Sequence, residues 1–162
     1  MDLYEGEKYH TTKENLRQTL EEYGVAIIPN VLDEQECNDM FNGIWDYFEH
    51  ISQTWETPLD RNDESTFRGF YDLFPMQTHS GLLIQYFSIG HNQASWNVRQ
   101  NPKIVDIFSY FWTTPPEDLL VSFDALSFNI PPEITNKGWF RKKEWFHSDQ
   151  SFTRNGFECV LP

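Results

Sequence analysis

Trp145-Phe146-His147-Ser148-Asp149-Gln150 sets an imidazole and a carboxylate two residues apart, behind an aromatic lead-in. Residues i and i+2 of a β-strand point to the same face. On a strand, His147 and Asp149 therefore converge on one point. A neutral imidazole and a carboxylate are two of the three ligands of the facial triad that holds non-haem Fe(II) with open coordination positions. The third ligand is a second histidine, which must come from elsewhere in the fold. Thirteen residues follow Asp149 in the 162-residue chain, and none is a histidine. The stretch reads as a metal strand with an incomplete ligand set.

Working outward, the chain on both sides reads as sheet. Upstream, Leu119 to Ile130 alternates: Val121, Phe123, Ala125, Ser127 and Asn129 against Ser122, Asp124, Leu126, Phe128 and Ile130. Alternation over this length is a strand signal. Pro131-Pro132 closes it. Ser127 and Asn129 share one face of this strand, just before the metal strand, and are candidates to line a site. Residues 133–144 are polar and basic, with Asn136-Lys137-Gly138 as a turn. Arg141, Lys142, Lys143 and Glu144 read as a solvated loop. Downstream, Arg154-Asn155-Gly156 is a turn and Phe157 to Val160 begins another strand.

The first half reads as helix. Thr11 with Glu14 three residues on has the form of a capping box. Leu16, Leu20 and Tyr23 follow at helical spacing, and Gly24 is a stop. Val25 to Ile28 reads as a short buried strand ended by Pro29. Asp33 caps a second helix with Cys37, Met40, Phe41, Ile44, Tyr47, Phe48 and Ile51 as its apolar stripe. Residues 52–66 read as a loop, Leu82 to Phe87 as helix, and Gln93 to Val98 as one or two helical turns. Asn101-Pro102 opens a further helix with Ile104, Val105, Phe108, Phe111 and Trp112 on its core face. Thr113-Thr114-Pro115-Pro116 ends it. The class is α+β, helices first and strands late, in one domain over residues 1–162.

Composition narrows the function. With 14 Phe, 7 Tyr and 6 Trp, a packed aromatic core is expected. The formal net charge of -13 lacks the basic face that sequence-independent nucleic-acid binding needs, and it disfavours anionic lipid. No apolar run approaches the ~20 residues of a membrane helix. Met1 to Glu5 lacks the basic and apolar regions of a signal peptide. Cys37 and Cys159 have no metal-type spacing and fit two reduced thiols. An intracellular, soluble protein is expected, with neither nucleic acid nor membrane as partner.

A longer pattern then emerges. Gly90-His91-Asn92-Gln93-Ala94-Ser95-Trp96-Asn97-Val98-Arg99-Gln100-Asn101-Pro102, then Leu119 to Asp124, then Trp145 to Ser151 with Arg154-Asn155-Gly156, resemble the N-terminal half of the phytanoyl-CoA dioxygenase-like family. The resemblance spans about Val25 to Val160. It implies a double-stranded β-helix (jelly-roll, cupin-like) oxygenase that uses Fe(II), 2-oxoglutarate and O₂ on a small-molecule substrate. It makes His147 and Asp149 the first two metal ligands. Ser127 and Asn129, which alternate onto one face of the preceding strand and turn towards a site or towards water, are the candidate cofactor-binding residues. The family also carries a distal histidine and a basic residue, usually Arg, for the far carboxylate of 2-oxoglutarate, both on late strands; this sequence has no counterpart of either. His10, His50, His79 and His91 lie in helix ends or loops. Trp96, Arg99 and Gln100 read first as packing and capping residues.

The expectation is an incomplete jelly roll: the N-terminal part of a larger oxygenase fold, truncated before its last ligands and inactive alone. Two alternatives stay open. One is half of a split enzyme, completed by a chain that supplies the missing C-terminal strands. The other is a non-catalytic interaction module derived from an oxygenase.

Overall fold

The computed structural model describes residues 5–71, 83–84, 87–122, 125–128, 132–135 and 153. Five α-helices lie in this portion: α1 (Leu16–Tyr23), α2 (Glu34–Ile51), α3 (Gln93–Arg99), α4 (Pro102–Trp112) and α5 (Pro132–Thr135). Short 3₁₀ turns run over Gly6–Tyr9, Glu64–Tyr71, Ile89–His91 and Pro116–Asp118. Strands β1 (Leu83–Ile84) and β2 (Leu126–Ser127) pair antiparallel, Leu83 opposite Ser127 and Ile84 opposite Leu126.

The organising element is α2. Asp33 accepts a hydrogen bond from the Glu36 N–H (2.9 Å), and Glu36 accepts one from the Asp33 N–H (2.8 Å). Asp33 is the N-cap expected, and with Glu36 it forms a full capping box. Lys103 donates to Glu36 (2.6 Å) and Asp33 (3.2 Å), and the Asn101 side chain donates to Glu36 (2.8 Å). The start of α4 is thereby tied to the start of α2. Asn101 caps α4, Pro102 occupies its first turn, and Thr113 ends it in the left-handed region at φ 52.

The buried face of α2 is Ile44, Trp45 and Phe48, with Met40, Tyr47 and Ile51 half-buried beside them. Leu59, Phe67, Phe70, Ile84, Ile89 and Ala94 complete the core. Helix α3 packs closest to α2 at Gly43, where an added Cβ would lie 2.9 Å from the Ala94 Cβ. Only hydrogen fits between those two backbones.

The loop after α2 is fastened back onto it. Arg61 makes a fork with Glu49, through Nε (3.0 Å) and Nη2 (2.8 Å), and its backbone N–H also donates to Glu49 (2.9 Å). Its guanidinium also bonds Asp46. The buried Ser52 hydroxyl accepts from the Leu59 N–H (2.9 Å) and donates to the Glu49 carbonyl (3.2 Å). These bonds bring Leu59 into the core.

Arg61, chiefly by hydrogen bonding, holds the Glu49 carboxyl below its ordinary value of 4.5. A carboxylate depressed in the folded state stabilises the fold above its unfolded pKa, and that contribution fades as pH falls through the folded value. Acid titration is therefore expected to destabilise the wild type below about pH 4.5. Glu49→Gln should be less stable at neutral pH and show a shallower loss below that point. Urea midpoints at pH 7, 5 and 3.5 would measure it; parallel pH curves for the two proteins would refute the role of Glu49.

Five expectations need correction. Helix α1 begins at Leu16, not at Thr12; Asn15 is its N-cap and has no side-chain cap bond. Thr11 instead accepts a hydrogen bond from the Thr19 hydroxyl (2.8 Å), and Glu14 is held by Thr12. A local turn there outcompetes the capping box. Gly24 does stop α1, at φ 72. Val25 to Ile28 is not a buried strand: a lone parallel bridge joins His10 and Ile27, and Val25 is exposed. Leu83–Ile84 is strand, not helix, because its partners on β2 decide a run too short to type by itself. Of the long alternating segment, only Leu126–Ser127 is strand among the described residues; Leu120 is fully exposed and Val121 half-exposed. The helix predicted from Pro102 and the turns from Gln93 are present. The stripe of α2 omitted Trp45, a central core residue, and included Cys37 and Phe41, which are exposed.

Candidate functional site

The β1–β2 pair has two faces. Directly opposed residues share a face. Ile84 and Leu126 therefore point together, into the core, and Ile84 is buried. Phe128, two residues beyond Leu126, packs on the same side. Its ring centroid lies 4.8 Å from that of Phe48, 5.5 Å from that of Trp45 and 5.4 Å from that of Phe70. Ser127 lies between them and is exposed, on the face turned away from the helices.

Asn129, His147 and Asp149 lie outside the described residues, as do His79, Arg141, Lys142, Lys143, Glu144 and Cys159. The histidines that are described lie apart. His10 sits in the bridge to Ile27, His50 in the last turn of α2 and His91 in the turn before α3, and all are exposed. Among the described residues no three His, Cys, Asp or Glu side chains come together as a metal site.

Trp96, Arg99 and Gln100 take the packing and capping roles read for them. Gln100 is the C-cap of α3, and Arg99 bonds the Gly90 carbonyl while lying 5.6 Å from the Trp96 ring centroid. An open groove of about 600 Å³ lies between the approach to α1 and the end of α4. Its cations are engaged: Lys13 with Asp106 (2.6 Å) and Arg17 with the Phe111 carbonyl (3.0 Å). No helix of the described portion is long and apolar enough to cross a membrane.

Two curated proteins are similar to this chain. One is the "Putative phytanoyl-CoA dioxygenase" of Dictyostelium discoideum, 30% identical over 130 residues, which are 77% of this chain and 34% of that protein. The other is "Ava biosynthesis cluster protein O" of Aspergillus versicolor, 29% identical over 108 residues, 67% of this chain and 32% of that protein. The chain thus spans about a third of the length of the relatives it matches. No family model matches it. No solved structure matches it. The chain is a distant relative of a protein bearing the dioxygenase name, which agrees with the resemblance drawn from its motifs.

Proposed function

We propose that these residues form the N-terminal part of an Fe(II)- and 2-oxoglutarate-dependent dioxygenase that hydroxylates a C–H bond of a small organic substrate. The similarity to the Dictyostelium protein over 77% of the chain carries this proposal. The donor chemistry fits: imidazole and carboxylate are ligands of the facial triad. His147 and Asp149 are assigned to the metal, and Ser127 and Asn129 to hydrogen bonds with 2-oxoglutarate. When bound, Fe(II) with 2-oxoglutarate and O₂ supplies the oxidising power; the chain's own residues hold, orient and keep water out. We assign the third histidine and the basic partner of the far carboxylate to strands outside residues 1–162. These strands come from further polypeptide or from a second chain, and they close the double-stranded β-helix.

A non-catalytic interaction module is the second reading.

Succinate formation from 2-oxoglutarate tests both. The chain alone is expected to give background turnover with Fe(II). Adding polypeptide that carries a late-strand histidine and arginine should give Fe(II)-dependent succinate. Absence of turnover under both conditions, with no metal bound, would leave only the interaction module.

A further inference from the structure

We propose that Phe128 is a positioning residue: its ring locks the register of β2 and so holds Ser127 on the face away from the helices. Its meaning for function rests on the oxygenase proposal above, but its geometry does not. Among the described residues, strand β2 meets β1 through two residue pairs, Leu83 with Ser127 and Ile84 with Leu126. A one-residue slip would move every side chain of the strand to the opposite face.

The side chains oppose such a slip. The Phe128 ring meets two residues of α2 and one of the 3₁₀ turn at once. It stacks on Phe70 at an interplanar angle of 25°, meets Trp45 edge-on at 89° and lies 4.8 Å from Phe48. Leu126 packs against the same cluster, opposite buried Ile84. After a one-residue slip the Ser127 hydroxyl would enter an apolar cluster with no partner, and the Phe128 ring would enter water. Phe128 thus selects one of two faces for its neighbour. Its contacts are to the core and not to a ligand, so it acts through Ser127.

Thiol labelling tests the register directly. Cys37→Ser and Cys159→Ser remove the native thiols, and Ser127→Cys or Leu126→Cys then reports each face. With Phe128 present, the reporter at 127 should label at least roughly tenfold faster than the one at 126. With Phe128→Ala the two rates should converge to within about threefold, because both registers are populated. Phe128→Leu keeps an apolar anchor and should restore the difference. A purely stabilising role would lower the unfolding midpoint yet leave the rate ratio of the folded fraction unchanged, and that result would overturn the proposal. If Phe128→Ala fails to fold, Phe128→Val, smaller but strand-favouring, serves instead. An intermediate ratio supports the lock and an unchanged ratio refutes it.

A second readout addresses function. In the completed enzyme, Phe128→Ala should weaken 2-oxoglutarate binding by roughly tenfold while Fe(II) affinity stays within about threefold. If the labelling ratio responds as expected but the wild type binds no 2-oxoglutarate, the oxygenase proposal fails and the register lock stands without its meaning for function. If 2-oxoglutarate binds and the labelling ratio ignores Phe128, the register lock alone fails.

Discussion

Phe48→Ala is expected to lower stability by about 3–5 kcal/mol, the usual cost of emptying a buried aromatic site. Phe48 is 0% exposed and lies where helix, turn and strand meet. Its ring centroid is 5.0 Å from that of Phe70 and 4.8 Å from that of Phe128. Trp45 and Tyr47 also meet it edge-on. Removing the ring takes away dispersion contacts with groups from three elements, and such rigid rings collapse poorly into a cavity. Domains of this size have about 5–15 kcal/mol in hand, so the variant should melt about 6–20 °C lower. Phe41→Ala provides the contrast. Phe41 lies about two helical turns away on α2 but is 53% exposed, and its loss should cost under about 1 kcal/mol. Urea titrations of both variants decide the matter; equal losses would mean that the core is not where we place it.

The second large effect concerns chemistry. Asp149→Ala and His147→Ala should each reduce metal affinity by more than the roughly 10–100-fold typical of losing an outer-shell partner, because a direct ligand is removed. Asp149→Asn removes the charge but keeps the shape and should fall between alanine and wild type. Ser127→Ala should leave metal affinity unchanged, since a hydroxyl is not part of the triad. Competition with a chelator of known affinity gives each value. Wild-type affinity in both alanine variants would remove His147 and Asp149 from the site.

How much of this was legible in the sequence depends on what each signal needed. Caps and stops are local chemistry, so Asp33, Gly24, Asn101-Pro102 and Thr113 mark true helix ends. The stripe on α2 was legible except at its tertiary edges. Trp45 is buried because Phe67, Phe70 and Phe128 come to it from elsewhere in the chain, which periodicity does not reveal. Short apolar runs were the least legible. Leu83–Ile84 became strand through a partner more than forty residues away, and Val25 to Ile28 gained only one bridge. The capping-box pattern at Thr11 failed because Thr19 and Thr12 bind the side chains it needed. For the site, alternation correctly put Ser127 opposite the core residues Leu126 and Phe128. The pairing of His147 with Asp149 rests on strand geometry and family resemblance, since both lie outside the described residues.

The central claim is that metal binds at His147 and Asp149. The five histidines make it measurable, because each imidazole gives its own signals in a ¹⁵N-histidine NMR spectrum. Adding Co(II), as a paramagnetic stand-in for Fe(II), should broaden His147 selectively, with His10, His50 and His91 retained and the effect lost in Asp149→Ala. Uniform broadening of all the histidines, or an unchanged spectrum of His147 at saturating metal, would contradict it.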